Sequence, residues 1–146
     1  GITFNGDTAA ANALDDYETG TWTPAILATT TDATHTIQVG SYTKVGNKVH
    51  AQGRVQISSE GPMSGVLSIT GLPFTSSATT NTYGSGSFGY AGGLTITAGH
   101  TITARVNSNS TSIAISYWNA TTGSSNFTTN FTGATADFIF SVEYTV

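Results

Sequence analysis

Strict two-residue alternation on either side of a tight turn is the feature that most limits what this chain can become. Between Ile37 and Ser58, Gly46-Asn47 separates two alternating runs, as the short turn of a β-hairpin does. In the second run Val49, Ala51, Gly53, Val55 and Ile57 fall on one face, and Lys48, His50, Gln52, Arg54 and Gln56 fall on the other. Only an extended strand sends successive side chains to opposite faces, so this segment is a strand with one face buried. The chain closes in the same way. Phe138, Phe140, Val142, Tyr144 and Val146 share one face, against Ile139, Ser141, Glu143 and Thr145 on the other. Such an apolar last strand is expected to be paired centrally in its sheet.

Other runs follow the same period. Trp22–Leu27 reads as a strand that Pro24 confines to an edge or a strand start, and Ala28–His35 reads as a loop. Val66–Ile69 is a short strand stopped by Gly71-Leu72-Pro73-Phe74. Tyr83–Tyr90 is Gly-rich and aromatic. Leu94, Ile96 and Ala98 alternate toward Gly99-His100, then Ile102, Ala104 and Val106, then Ile113, Ile115 and Tyr117 with Trp118 on the opposite face. Ala120–Thr135 is a long polar loop or a weak strand carrying Phe127 and Phe131. Eight or nine short strands with turns between them predict an all-β fold, an antiparallel β-sandwich of jelly-roll type. No fixed-period repeat is present, which disfavours a propeller or β-helix. Residues 1–20 read as a neck, an extended piece followed by one turn at Ala9–Leu14, and residues 21–146 as the sandwich domain.

Composition sets the remaining bounds. Threonine, serine, glycine and asparagine dominate, which suits pleated strands and turns. Ile, Leu, Val and Phe make up only about a fifth of the chain, close to the lower bound for a folded domain. With charged residues at 8%, disorder is not expected either. One remedy for a lean core of this kind is to be completed against copies of itself. The net charge is −4, and the only cations are Lys44, Lys48, Arg54 and Arg105. Four scattered cations cannot form the dense basic face that nucleic acid or an anionic membrane surface requires. No apolar run reaches the length of a membrane span. The absence of cysteine removes disulfides, thiolate metal sites and Cys nucleophiles, and points to synthesis in a reducing cytoplasm with exposure to the outside later. Because the chain opens on Gly1 rather than Met, a fragment or processed end is expected.

Three segments carry a resemblance. Leu14-Asp15-Asp16-Tyr17-Glu18-Thr19-Gly20-Thr21-Trp22-Thr23-Pro24 resembles the Y-E-x-G-T-W-T-P opening of distal domains in bacteriophage tail fibres and tailspikes. Gly40–Val49 is similar to their Y-T-K-I-G-N-x-V hairpin, and Ile69-Thr70-Gly71-Leu72-Pro73-Phe74 to their I-x-G-L-P-F segment. The order is that of the family, over roughly the first half of the chain. The resemblance implies a trimeric virion appendage that binds host cell-surface polysaccharide or lipopolysaccharide, or one that folds, caps or decorates without touching a receptor. It assigns Tyr17, Trp22, Pro24, Tyr42 and Gly46 to a structural motif.

Candidate ligand-binding residues were sought among exposed aromatics and polar rows. Trp22 and Trp118 offer aromatic faces for sugar C–H groups, Trp118 beside the Asn119 amide for hydroxyls, or else both are core or interface anchors. His50 and Arg54 belong to the outward row, which faces an acidic polysaccharide, solvent or a second subunit. Tyr83 and Tyr90 bound either a binding loop or a closely packed strand. His35, His50 and His100 lack zinc-site spacing, and Asp15, Asp16 and Glu18 are too few for a calcium cage, so no metal and no cofactor is expected. Glycoside hydrolysis needs two carboxylates brought together, which folding can do with eight acids, so a carbohydrate-active enzyme stands as the second alternative, and the expectation is a binding protein. The N-x-S/T sequons at Asn109, Asn119, Asn126 and Asn130 arise by chance in so Thr-rich a chain.

Overall fold

The computed structural model describes residues 16–29, 33–121, 123–128 and 132–146. Among them are ten strands: β1 Tyr17–Trp22, β2 Ala25–Leu27, β3 Thr34–Val45, β4 Lys48–Ser59, β5 Ser68–Thr70, β6 Gly84–Leu94, β7 Thr101–Val106, β8 Ser112–Asn119, β9 Gly123–Asn126 and β10 Thr132–Thr145. All pairings are antiparallel, in the order β1-β3-β4-β10-β6-β7-β8-β5-β2, with β9 added to β8. The all-β, antiparallel expectation holds, realised as one curled, half-barrel sheet with no helix among the described residues.

Curling follows from the two ends of the ladder. β1 pairs β3 at one end and β2 pairs β5 at the other, yet only Thr23 and Pro24 separate β1 from β2. The expected single strand Trp22–Leu27 is therefore broken at Pro24, which has no N–H to give a ladder. Around the bend Gln38 Nε2 donates to Pro24 O at 3.0 Å, and Ile26 N–H donates to His35 Nε2 at 2.8 Å.

The core lies inside the curl. β4 delivers Val49, Ala51, Val55 and Ile57, and β10 delivers Phe138, Phe140, Val142 and Tyr144, all buried as their alternation requires. β10 is central, between β4 and β6. Ile26, Ile69, Ile113 and Val106 stand in register across β2, β5, β8 and β7 and are fully buried. That row meets β10 across Gly84. A Cβ there would stand 2.6 Å from Tyr144 Cβ and 3.0 Å from Val106 Cβ, so glycine lets the strands close up.

Three local expectations are corrected. Leu94 ends β6, and 95–98 are not strand; the ladder with β10 shifts register past Gly92, where Gly93 takes φ +66°, and its last pair is Leu94 with Thr132. The short strand predicted over Val66–Ile69 lies at Ser68–Thr70, and Val66 makes an isolated bridge to Thr128. Thr34 and His35 open β3 rather than closing a loop. Phe127 is fully buried, and Phe131 and the turn expected at Ala9–Leu14 lie outside the described residues. So does most of the neck expected over residues 1–20, although Tyr17–Gly20 belong to β1.

Candidate functional site

The motif residues form a clasp between β1 and β3. Tyr17 faces Val45, Glu18 faces Lys44, Gly20 faces Tyr42 and Trp22 faces Gly40. Tyr42 O–H donates to Glu18 Oε1 at 2.5 Å, which holds the phenol pKa above its ordinary value. Buried Lys44 is ion-paired with Asp16 and lies 5.8 Å from the centroid of the Phe74 ring. Gly46 closes the hairpin at φ +57°, a conformation glycine adopts without strain, and its N–H donates to Asp16 O at 2.9 Å. Trp22 is buried. Its Nε1–H reaches Ser41 O and Gln52 O, each at 3.3 Å, and its ring meets Phe140 edge-on at 6.0 Å. These side chains are consumed in packing and leave no sugar platform at Trp22.

The outer face of the sheet is different. Register places Thr19, Thr43, His50, Glu143, Ser85, Arg105, Ala114, Ser68 and Leu27 in one row across nine strands. Three hollows of about 260, 480 and 520 Å³ lie along it. The first two share His50, Ser85 and Glu143, and the last two share Tyr83 and Ser85, so they form one groove. Ser85, Gly86, Ser87 and Ser141 keep its floor low. Lys48 stands at one end, with Nζ donating to Thr145 Oγ1 at 2.8 Å. His50 Nδ1 lies 3.9 Å from Glu143 Oε1. At the other end Arg105 Nε donates to Asn107 Oδ1 at 2.9 Å, and the guanidinium lies 5.9 Å from the Tyr83 ring centroid. Tyr83 is 58% exposed. The groove thus offers a ring held by a cation, with donors and acceptors on both sides, the combination that binds a polyhydroxylated ligand.

Of the six residues proposed from sequence, His50 and Tyr83 meet in this groove. Arg54 and Tyr90 lie one row away. Arg54 is tied to Asp137 by two hydrogen bonds of 3.1 and 2.8 Å, and Asp137 is buried. Tyr90 is in register with Ile139, which is in register with Arg54 and so with Val39. Val39, Ile139 and Tyr90 are 65%, 43% and 51% exposed, beside a hollow of about 360 Å³ over Gly40 and Gly53. Trp118 is exposed on β8, two residues beyond the groove-lining Ser116 and on the same face. Asn119 is engaged: Nδ2 donates to His100 Nε2 at 3.1 Å, and Oδ1 accepts from Thr121 N–H at 2.9 Å. Lys48 was read as part of the outward polar row, whereas Glu143 and Arg105 were not singled out as ligand residues. Their outward parity was readable, since Glu143 alternates with buried Val142 and Tyr144, and Arg105 with buried Ala104 and Val106. The stretch between Tyr83 and Tyr90 is strand, not loop. No cluster of three His, Cys, Asp or Glu able to hold a metal occurs among the described residues.

No family model matches the chain, and no curated protein matches it. Among solved structures the chain is similar to the Dettilon tailspike protein (gp208), with a TM-score of 0.76 and 23% identity over 88% of this chain. The matched part is 24% of that protein's chain, so this chain spans about a quarter of its length. The likeness is one of fold.

Proposed function

We propose that the chain is a module of a phage tail fibre or tailspike that binds a host cell-surface glycan through the outer-face groove. The observation that carries this reading is the groove itself, about 480 Å³ at its centre, where Tyr83, His50, Lys48 and Glu143 converge. The likeness to a tailspike fold, and the resemblance of the first three motifs, support its setting on a virion appendage made in the host cytoplasm. In this reading residues 1–20 lead from an upstream fibrous part into a jelly-roll-like domain, and three copies assemble. The exposed row Val39, Ile139 and Tyr90 supports association, since apolar side chains of that size gain by being covered. Three weak sites on one tip then act together by avidity.

Catalysis is not part of the proposal. Glycoside hydrolysis uses two carboxyl groups flanking the bond, whereas Glu143 is the one carboxylate among the groove's lining residues. A purely structural, capping or decorating module is the competing reading, favoured by the clasp that buries Trp22 and engages Tyr42 and Lys44. Adsorption separates the two. Wild-type chain is expected to bind host envelope polysaccharide on a glycan surface, and Tyr83→Ala to bind about tenfold more weakly, equivalent to about 1.4 kcal/mol. Assembled protein that binds no host polysaccharide refutes receptor binding and leaves the structural module.

A further inference from the structure

Resting on the glycan-binding reading, we infer that the groove takes an acidic glycan, a polysaccharide whose repeating unit bears a carboxylate or phosphate. The chain has four Lys and Arg in all. Lys44 is neutralised by Asp16, and Arg54 by Asp137. The other two, Lys48 and Arg105, have no carboxylate partner among the described residues, and both line this groove. Their hydrogen bonds go to neutral oxygens, of Thr145 and Asn107, which leave each charge uncompensated. An acidic protein of net charge −4 repels a polyanion at long range, so two cations against the single carboxylate of Glu143 make this groove a local reversal of its field.

The placement fits a polymer rather than a single anion. Lys48 is on β4 and Arg105 on β7, three ladder steps and a two-residue offset apart, which is about 16 Å at the usual strand spacing and rise. An acidic group at each end, with hydroxyls of the intervening sugars over Ser85, His50 and Glu143, engages the groove along its length. Arg105 brings a planar fork that suits carboxylate or phosphate, and its stacking neighbour Tyr83 offers the ring for the adjoining sugar.

The test uses envelope polysaccharide extracts from a panel of bacterial strains, each immobilised native, carboxyl-reduced, and dephosphorylated with hydrofluoric acid. Wild-type chain, Lys48→Gln and Arg105→Gln are compared at low and high salt, with thermal melts to establish that the variants are folded. Expected is binding to at least one native extract that falls about tenfold in either variant and weakens with salt. Loss on carboxyl reduction assigns a carboxylate, and loss on dephosphorylation a phosphate. Binding that survives both treatments, or that both folded variants retain in full, overturns the acidic assignment while the glycan reading stands. Binding to no extract overturns both.

Discussion

The contact between Trp22 and Gly40 is the sharpest place to perturb this fold. Trp22 lies in register with Gly40, and a Cβ on Gly40 would stand 2.5 Å from the indole Nε1 and 2.7 Å from Cδ1 and Cε2. The indole cannot retreat, because its N–H is held by Ser41 O and Gln52 O and its other edge packs on Phe140. Gly40→Ala is therefore an overpacking change, expected to cost about 1–3 kcal/mol. Gly40 does not have a positive φ, so alanine meets no backbone strain there. Trp22→Leu removes most of a buried ring and is expected to cost about 2–4 kcal/mol, somewhat less than a truncation to alanine. The two effects must not add. Once the ring is gone the methyl enters free space, and Gly40→Ala becomes neutral or stabilising by about 0.5 kcal/mol through the unfolded chain. Urea unfolding of the four members of this double-mutant cycle reads the coupling, expected at about 1–3 kcal/mol. If Gly40→Ala costs the same with and without Trp22, the steric argument is wrong.

Arg54→Ala leaves the buried Asp137 carboxylate without its two hydrogen bonds, and a loss of about 1–3 kcal/mol is expected in thermal unfolding at neutral pH. Asp137→Asn with Arg54→Ala is expected to recover part of it. Burial pushes the Tyr144 phenol up to about 12, so the folded state keeps its proton where the unfolded chain loses it above pH 10. Stability is thus fully present below pH 10 and falls between about pH 10 and 12, and melts of Tyr144→Phe across that window should lose this part of the decline. Gly84→Ala, meeting Tyr144 and Val106 from both sides, is expected to cost more than Gly89→Ala, whose Cβ meets only Ile139 O, at 3.9 Å; chemical denaturation compares them.

Much of the fold was legible because it is local. The alternation of β4 and β10 names their buried faces residue by residue, and Gly46 marks the turn between β3 and β4. What escaped was set by distant partners. β6 lacks a clear apolar row because Gly84 and Gly86 are selected by the closeness of β10 and β7. Ile96 suggested a strand that no pairing among the described residues carries, and Pro24 marked an edge without revealing that the two edges on either side of it are opposite ends of one ladder. The groove illustrates the same limit. His50, Glu143, Ser85 and Arg105 come from four strands, and nothing short of the pairing β4-β10-β6-β7 aligns them in one row.

The direct check on the groove is amide chemical-shift mapping of the assembled protein, titrated with the envelope polysaccharide extract of the panel that it retains most strongly. Shifts concentrated at His50, Ser85, Arg105 and Glu143, with the Val39 and Ile139 row unaffected, are the predicted result. Shifts centred on that apolar row or confined to the Trp118 end, or an extract panel of which nothing is retained, would contradict the account.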